Sequence, residues 1–566
     1  MLLNADQAAS VHHDGHLLVV ACPGSGKTRV LVERAARLRR DTPSAPIALV
    51  TFTREAAREI RSRLARALPS LDGIRVATFH AFALQQLMAA GGIRICSPSD
   101  QVSLMRRAWL ECCAQTAFSS FQATVESLSC GGSTEDLGLE QASAYDRYLE
   151  LLLEFSAVDF AQAILRAVSG MGSGEVRPVP CRHLLVDEVQ DIDAAQLDWL
   201  DQHVRAGALI TAVGDDDQAI YGFRHSLGFQ GMGRICRRYS TKLITLSTNY
   251  RSHSEILSWA TRLIGHNRDR LDKTLSAHRG PGGAVLLHDS LQTDLEEAAL
   301  IALHAAEARD PFAVIARTNR HLDVIAAALV EREVPFDRPG RKSFWASEEP
   351  ALFLALLAPA GLSDPITRST LMVRYGSVAD TTPPGEIQRF RRQLALLRRS
   401  GDPRACIDAV AEFLLTHSAG LSPTRVEGAE RAVEACRRAL LAMPGSLEDR
   451  LARTRRPAAK KAQRVVLLTM HGAKGLEFHT VWVAACQAGV VPHDKCEDQQ
   501  EERRLFYVAM TRAETVLHLS FSRARVTTRR TKDGEDREHY RPLAPSPFLL
   551  NDLGIAVSGP DNSRSG

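Results

Sequence analysis

The chain has 566 residues, of which 45% are hydrophobic and 24% are charged, and its formal net charge is +4. This length exceeds what one hydrophobic core can organise and predicts three or four domains of ordinary globular composition. A net charge this small gives no global argument for a nucleic-acid partner, so any basic binding surface must be local.

The cysteines and the apolar runs exclude several other classes of protein. The eleven cysteines contain no C-x-x-C pair, which argues against zinc ribbons, iron–sulfur clusters and disulfide scaffolds and suits a reducing cytosol. The N-terminal residues form no signal-like segment, and the longest apolar run, residues 351–358, is too short to span a bilayer. We therefore expect a cytoplasmic protein without a membrane partner.

The predicted elements alternate between strands and helices in the first third of the chain. Helices are predicted at 29–40 and 54–68, and strands at 17–21, 47–52, 74–79, 184–186 and 209–213. A second set of strands follows at 313–316, 465–469, 481–484 and 516–521. This alternation predicts an α/β protein with two parallel-sheet cores.

Two mainly helical stretches interrupt these cores. The first, 90–170, contains helical patterns at 105–113 and 145–155 and a glycine- and serine-rich break at 129–134. The second, 351–462, contains helical patterns at 387–399 and 429–442. It ends in a basic stretch that is either a solvated linker face or a contact with a nucleic-acid backbone, formed by Arg450, Arg453, Arg455, Arg456, Lys460 and Lys461.

A phosphate-binding loop is predicted directly after the first strand. Its residues are Ala21, Cys22, Pro23, Gly24, Ser25, Gly26, Lys27 and Thr28. A strand that runs through a glycine turn into a helix points several backbone N–H groups at one spot. These groups and Lys27 would hold the phosphates of a nucleotide, and the Thr28 hydroxyl would ligate Mg²⁺.

Two further segments supply matching chemistry. Asp187 and Glu188 end an apolar strand, where Asp187 suits a Mg²⁺ contact and Glu188 suits a general base that polarises the attacking water. In the segment 213–224, Gln218 is a candidate phosphate-sensing amide. Tyr221 and Phe223 lie just beyond it, where stacking on bases would place nucleic-acid contact and hydrolysis in one segment.

Nine sequence blocks together resemble a superfamily 1 helicase of the UvrD/Rep/PcrA type. Three are the segments above. The other six are residues 3–7, 51–57, 77–82, 246–252, 469–478 and 501–513. The resemblance covers both predicted cores, about two thirds of the chain, and neither insertion carries a signature that matches.

The resemblance implies two RecA-like parallel-sheet cores, each with a mainly helical insertion. The first core would comprise residues 1–89 and 171–240, with the insertion at 90–170. The second would comprise 241–350 and 463–552, with a reduced insertion at 351–462 and a disordered tail at 553–566.

The resemblance also implies roles for individual residues toward ATP. Gln7 would read the adenine edge, Arg29 and Tyr250 would flank the ring, and Glu477 would bind the ribose hydroxyl. Arg251 and Arg512 would reach from the second core toward the γ-phosphate when the cleft between the cores closes. Cations from both cores would then neutralise the negative charge on the transferred phosphoryl group.

A single strand of DNA would follow a track of ring and cationic side chains. Its predicted members are Phe52, Phe79, His80, Tyr221, Phe223, Arg224 and His471. Each ring taken alone is as readily explained as part of a hydrophobic core. Base stacking does not depend on the base sequence. If the two cores bound the strand in alternation, the protein would move stepwise along it. The resemblance implies that this movement is 3′-to-5′.

Some residues depart from the family pattern. Ala21 stands in place of the first glycine of the loop, Arg54 in place of a frequent asparagine and Phe223 in place of a frequent tryptophan. The second insertion is short and lacks a Gly-Ile-Gly type hairpin that grips duplex DNA. This favours ATP hydrolysis and single-strand translocation over processive unwinding.

Two functions stay open at the level of sequence. The chain is either an ATP-dependent 3′-to-5′ DNA helicase or translocase of repair, or a helicase-like subunit that senses DNA and assembles with a separate nuclease in an anti-phage system such as Gabija. No recognisable nuclease motif occurs at the C-terminus, which disfavours a helicase and nuclease in one chain. A scaffold with a dead nucleotide site is disfavoured, because every candidate catalytic residue is present.

Overall fold

The computed structural model describes residues 2–91, 94–96, 98–132, 137–155, 157–160, 162–339, 345, 348–358, 384–418, 423–455, 464–530 and 536–556. Contacts divide the chain into two compact units, Met1–Ala284 with Lys495–Thr515 and Val285–Asp494 with Val516–Gly566. Among the described residues, no helix has both the length and the hydropathy to cross a membrane.

The first unit contains ten strands and twelve helices in the described residues. The strands are β1 Leu17–Ala21, β2 Ile47–Thr51, β3 Ile74–Thr78, β4 Arg94–Ile95, β5 Ala157–Val158, β6 His183–Val186, β7 Leu209–Gly214, β8 Lys242–Leu246, β9 Thr248–Asn249 and β10 Ser276–Ala277. The first helices are α1 Ala5–His12, α2 Lys27–Asp41, α3 Arg54–Ala67, α4 Phe79–Ala90, α5 Pro98–Cys112 and α6 Phe118–Ser129. The others are α7 Leu139–Glu154, α8 Ala163–Ser173, α9 Ala194–Arg205, α10 Gly228–Tyr239, α11 Ser254–Ile264 and Gln499–Met510.

Six of these strands form a parallel sheet in the order β3-β2-β6-β7-β1-β8. Alternate residues of β1 enter two different hydrophobic clusters, Leu17 and Val19 in one and Leu18 and Val20 in the other. Both faces of the sheet are therefore covered, as expected of parallel strands that read as continuous apolar runs. The ends of β1, β6 and β7 lie at one edge, because parallel strands end on the same side.

The second unit is built around a seven-stranded sheet. Its strands are β11 Ala284–Thr293, β12 Phe312–Ala316, β13 Phe336–Asp337, β14 Val465–Thr469, β15 Phe478–Ala484, β16 Ala513–Arg530 and β17 Asp536–Pro542. Their order is β11-β16-β15-β12-β14-β13, with β17 paired to β16. The pairs of β12 with β14 and β15 are parallel, while β16 and β17 form an antiparallel ladder.

Helices complete both units. In the first, α5, α6 and α7 bury Phe121, Tyr148 and Leu151 in a core of their own. In the second, the helices are α12 Asp294–Glu307, α13 Asn319–Glu331, α14 Glu348–Leu357, α15 Pro384–Arg399, α16 Pro403–Ser418, α17 Pro423–Ala442 and α18 Leu447–Arg455. Helix Gln499–Met510 of the first unit is α19. Helices α14 to α18 share a further core that includes Phe353 and Ile407.

The structure confirms the α/β class, and each predicted strand and helix has a counterpart. The strands at 17–21 and 465–469 coincide with β1 and β14, whereas the strand predicted at 516–521 extends over all of β16. Strands β8 and β11 have no counterpart among the predicted elements. The division into four domains stays a prediction.

Some predictions fall on positions outside the described residues. These are residues 133 and 134 of the glycine- and serine-rich break, Arg456, Lys460 and Lys461 of the basic stretch, and 557–566 of the tail. Within the described part of the basic stretch, Arg450 donates to the carbonyl oxygens of Gly445, Leu440 and Leu441. Arg450 therefore has a structural role at the junction of two helices.

Candidate nucleotide and nucleic-acid site

The loop between β1 and α2 is shaped by two glycines. Gly24 and Gly26 have φ of +64° and +85°, values that favour glycine because no Cβ is present to clash. Ser25 Oγ donates to the Cys22 carbonyl oxygen over 2.8 Å and ties the loop to the strand end. The N-terminus of α2 has no side-chain cap, so its first N–H groups remain available to an anion.

The predicted loop residues differ in how accessible they are. Ala21 and Cys22 are fully buried, and burial raises the pKa of the Cys22 thiol to about 12. Pro23 is also buried, and its carbonyl oxygen accepts from Asn249 Nδ2 over 2.6 Å. Lys27 and Thr28, which begin α2, are half-buried. The two side chains predicted to meet phosphate and Mg²⁺ are thus the accessible ones.

The carboxylates after β6 lie beside the loop lysine. Lys27 Nζ is 3.0 Å from Glu188 Oε2, and Gln190 Nε2 donates to the same oxygen over 2.6 Å. Burial alone would lower the pKa of Lys27, but the carboxylates of Glu188, Asp215 and Asp187 outweigh it and raise this pKa. The ammonium is therefore held charged where a phosphate would bind.

Asp187 and Glu188 have different environments although they are neighbours in sequence. Asp187 is 5% exposed, and burial together with the charge of Glu188 raises the pKa of its carboxyl. Glu188 has φ of 50° and ψ of 42°, a left-handed conformation that costs a non-glycine residue about 1–3 kcal/mol. Backbone strain of this kind clusters at functional sites, and here it directs Glu188 to Lys27.

The donor set fits Mg²⁺. The side chains available are the buried Asp187 carboxylate and the half-buried Thr28 hydroxyl, and both offer the hard oxygen atoms that Mg²⁺ prefers. A cation beside Asp187 would offset the burial and the like charge that now raise the pKa of that carboxyl. The role of both residues as metal ligands stays a prediction.

Gln218 lies in a turn after β7 that begins with Asp215. The Gln218 side chain is 3% exposed, and its Nε2 donates to Asp215 Oδ2. Its Oε1 faces Arg512 Nη2 at 3.4 Å. The amide predicted to sense the γ-phosphate is thereby joined to one of the predicted arginines.

The two predicted arginines both lie in the first unit with the phosphate loop. A Cβ built on Gly24 would be 2.6 Å from Arg251 Cβ, so only glycine permits this approach. Arg251 Nη1 donates to the Thr511 carbonyl oxygen over 3.2 Å. Arg512 is 1% exposed, and burial lowers the pKa of its guanidinium.

The residues predicted to meet the adenine form a small hydrogen-bonded group. Gln7 Nε2 donates to the Ser25 carbonyl oxygen over 2.9 Å, and Gln7 Oε1 accepts from Asn4 N. Asn4 Nδ2 donates to the Tyr250 hydroxyl over 2.9 Å. Arg29 is half-buried in the first turn of α2. Gln7 is thus bonded to the phosphate loop itself, and its reading of adenine stays a prediction.

The predicted DNA-contacting side chains of the first unit fall into two groups. Phe223 is 61% exposed, its ring centroid lies 6.0 Å from that of Tyr221, and the Arg224 guanidinium lies 5.5 Å from both rings. Phe79, by contrast, is 1% exposed and packs edge-on against Trp199. The first three offer surface to a base, and Phe79 does not.

Phe52 and His80 lie beside Phe79 but are half-buried. The Phe52 ring contacts Phe79 edge-on at 5.6 Å. Burial lowers the pKa of His80 to about 4, which keeps the ring neutral. His80 stacks on Phe160 with centroids 4.1 Å apart and planes 7° apart.

The two remaining predicted residues belong to the second unit. His471 follows β14 and is half-buried, and Glu477 directly precedes β15 and is exposed. Their predicted roles, in the DNA track and at the ribose, stay predictions.

Sequence reasoning missed several residues of this region. Phe160 is 49% exposed although it follows a short strand. Asn249 binds the phosphate loop through Pro23, and Lys273 is wholly buried among Asp215, Asp216 and Asp217. Each contact joins positions far apart in the chain, so no local pattern in one sequence could have indicated it.

The fold and site place a glycine-shaped loop of the phosphate-binding type at the end of a parallel strand, with carboxylates beside its lysine. Residues 3–228 match the UvrD/REP helicase N-terminal domain, and residues 244–360 and 446–524 match the UvrD-like helicase C-terminal domain. The chain therefore belongs to the UvrD/Rep family of ATP-dependent DNA helicases, and its resemblance to the UvrD/Rep/PcrA type is confirmed.

Several curated relatives align with nearly the whole chain. DNA helicase II of Haemophilus influenzae is 28% identical over 90% of this chain and 82% of its own length. ATP-dependent DNA helicase PcrA of Leuconostoc citreum is 28% identical over 96% of this chain and 85% of its own length. ATP-dependent DNA helicase Rep of Escherichia coli is 27% identical over 97% of this chain and 94% of its own length.

Proposed function

We propose that this chain is an ATP- and Mg²⁺-dependent motor that translocates 3′-to-5′ along single-stranded DNA. The observation that carries the proposal is the assembly of a full set of candidate catalytic groups around one phosphate loop. Lys27 and Glu188 are in contact at 3.0 Å, and Gln218 faces Arg512 at 3.4 Å. The names of the relatives, DNA helicase II, PcrA and Rep, agree with a DNA motor.

Each catalytic side chain has a distinct task in this proposal. Bound ATP with Mg²⁺ supplies the phosphoryl group and part of the charge neutralisation. Lys27 and the N–H groups of α2 hold the phosphates, while Asp187 and Thr28 hold the metal. Glu188 accepts the proton of the attacking water, and Arg251 and Arg512 stabilise charge that develops on the transferred group.

The DNA contact is proposed at the half-buried Tyr221 and the exposed Phe223 and Arg224. These residues follow Gln218 by three to six positions in the same segment, so a change at the γ-phosphate side chain is transmitted over a few peptide units. Stacking on two rings and a guanidinium tolerates any base. His80 with Phe160 extends the candidate surface, and Phe79 supports Phe52 from the core.

The first test is steady-state ATP hydrolysis by the purified chain with and without single-stranded oligonucleotide. The proposal expects strong stimulation by the single strand and dependence on Mg²⁺. Displacement of streptavidin from a biotinylated 5′ end, but not from a 3′ end, would establish 3′-to-5′ movement. Release from the 3′ end alone would overturn the polarity.

The same experiment separates the motor from a regulatory subunit. A folded chain that binds ATP but hydrolyses little with any single strand would contradict an autonomous motor. Copurification with a nuclease, and turnover restored by it, would then support the second function considered from the sequence. Unwinding of a 3′-tailed duplex is tested separately, because the proposal requires translocation and not strand separation.

A further inference from the structure

The buried aspartate turn after β7 contains its own cation. Asp215, Asp216 and Asp217 are each 0% exposed, and their carboxylate oxygens lie close enough together to resemble a metal site. Lys273 Nζ occupies this position, at 2.7, 2.7 and 3.0 Å from oxygens of the three aspartates. An ammonium thus supplies one positive charge that the three buried carboxylates share.

Two residues that shortly precede Lys273 in the sequence, Arg270 and Leu271, contact the same aspartate turn. Arg270 donates to both carboxylate oxygens of Asp217 over 3.0 and 2.8 Å, a two-pronged pairing with fixed geometry. The backbone N–H of Leu271 donates to Asp216 Oδ2 over 2.6 Å. Three consecutive carboxylates are therefore each fixed by the same short segment.

The residues just before Arg270, at positions 267–269, are hydrogen-bonded to α19. Gln500 Oε1 accepts from the backbone N–H groups of Arg268 and Asp269, and Gln500 Nε2 donates to Asp269 Oδ2. Asn267 bonds to the Gln500 carbonyl oxygen and to Arg503. We call residues 267–273 the strap, because they bind α19 at one end and the aspartate turn at the other.

The two elements that the strap joins also carry the groups that meet near the phosphate loop. Asp215 accepts from Lys273 through Oδ1 and from Gln218 through Oδ2. Gln218 in turn faces Arg512, which follows the end of α19. A continuous buried path therefore runs from Lys273 through Asp215 and Gln218 to Arg512.

A second contact joins α19 to the backbone between Tyr221 and Phe223. Glu501 Oε1 accepts from the backbone N–H of Gly222 over 3.1 Å. A Cβ at position 222 would collide with the Glu501 carboxylate, so the absence of a side chain at Gly222 allows this approach. The segment 215–224 is thus held to α19 between Tyr221 and Phe223 as well as through the strap.

We propose that Lys273 is a positioning residue for ATP hydrolysis, and that the strap holds Gln218 and Arg512 in the geometry that distinguishes a bound γ-phosphate from its absence. This inference rests on the proposed function. Lys273 acts through Asp215, and its side chain is 0% exposed and so inaccessible to a nucleotide. Its loss should leave phosphate-loop binding in place and remove discrimination between ATP and ADP.

The test replaces Lys273 by methionine, which keeps the length of the side chain and removes its charge. Lys242→Met is the matched control, because Lys242 is exposed at the start of β8. Both variants and the unmodified chain are compared for kcat and KM with single-stranded DNA, for affinity toward ADP and a non-hydrolysable ATP analogue, and for thermal midpoint.

The expected result is specific to positioning. A misplacement of about 1 Å in a catalytic group costs on the order of 100-fold in rate, so kcat of Lys273→Met should fall by that order while its ADP affinity stays within about threefold of wild type. The ratio of ATP-analogue to ADP affinity should fall toward one. Unchanged kcat and an unchanged affinity ratio in folded Lys273→Met would overturn the proposal.

A milder variant covers the case in which Lys273→Met does not fold, since it leaves buried carboxylates unneutralised. Gln500→Ala removes the side-chain bonds from Gln500 to Arg268 and Asp269, keeps the bonds of Asn267 to α19 and leaves every buried charge in place. It should lower kcat and the analogue-to-ADP ratio in the same direction, and full wild-type behaviour would overturn the role of the strap. The binding ratio needs no turnover, so the two proposals fail separately: a wild-type chain that discriminates the nucleotides without hydrolysing them would refute the proposed motor, while an unchanged ratio in folded Lys273→Met would refute the role of the strap.

Discussion

Glu188→Gln isolates the proposed general base, because it replaces one oxygen by an amide of nearly the same shape. General-base catalysis contributes about 10²–10⁴-fold to a rate. At 1.36 kcal/mol for each factor of ten, the variant should lose about 2.7–5.4 kcal/mol of transition-state stabilisation. Turnover stimulated by single-stranded DNA should therefore fall at least about a hundredfold.

The same substitution should leave the fold and nucleotide binding almost unchanged. The Lys27 and Glu188 side chains are 12% and 29% exposed, and a glutamine carbonyl oxygen can still accept from Lys27. The lost charge attraction is partly offset, because the like charge that raises the pKa of Asp187 is also removed. We expect the free energy of unfolding to change by no more than about 1 kcal/mol.

The assay is steady-state phosphate release with saturating single-stranded DNA, accompanied by ADP titration and thermal unfolding. Glu175→Gln serves as the control, since Glu175 is an exposed carboxylate outside the segments that carry candidate site residues. Turnover of Glu188→Gln at the wild-type rate would refute the base assignment. A loss of ADP affinity as large as the loss of turnover would instead make Glu188 a binding residue.

Three further variants test separate parts of the site. Arg512→Lys keeps the positive charge but loses the planar guanidinium. Turnover measured by phosphate release should therefore fall by at least about tenfold, with little change in ADP affinity measured by titration. Equal losses of turnover and ADP affinity would show that Arg512 does not act specifically in the transition state. Phe223→Ala should weaken single-strand binding by about 1–3 kcal/mol in fluorescence titrations. The control is Phe155→Ala, at a residue that is 50% exposed, and it should bind the single strand as wild type does. Equal weakening of binding in both variants would refute specific stacking on Phe223. Burial raises the pKa of the Asp187 carboxyl, so the native state retains a proton that the unfolded state releases. Nucleotide-free wild type should therefore lose stability relative to Asp187→Asn as pH rises above the ordinary aspartate pKa of about 3.9. A difference in unfolding free energy between the two proteins that is constant with pH would contradict this.

The strands could be predicted because most of them are continuous apolar runs. Strand β1 is buried at every position and ends at the phosphate loop, and β14 is an equally plain run in the second unit. Strand β8 mixes exposed, half-buried and buried positions, and β11 mixes exposed and half-buried positions, neither in strict alternation, so neither period 2 nor a continuous buried run marks them. Their identity as strands depends on the partners that they meet in the sheet.

The candidate catalytic residues were predictable for a different reason. The chemistry of a phosphate loop requires glycine, lysine and threonine at fixed spacing, and a local segment satisfies that requirement by itself. The aromatic residues carry no such local constraint. Phe79 and Phe223 both follow strands of the first sheet, yet one is 1% and the other 61% exposed. Phe79 is buried because it packs against Trp199, which lies far from it in the sequence.

The aspartate turn shows most clearly what one sequence cannot provide. Three consecutive aspartates suggest metal or phosphate chemistry, and nothing near them in the chain indicates how their charge is balanced. The balance comes from Lys273, whose ammonium lies within 3.0 Å of oxygens of all three, and from Arg270 on Asp217. Because a buried carboxylate is tolerated only when it is paired, the segment that supplies these cations has to pack on the turn for Asp215 to hold Gln218 in place. The geometry of the predicted γ-phosphate sensor therefore depends on residues more than fifty positions further along the chain, and it is this dependence that the Lys273→Met and Gln500→Ala variants measure.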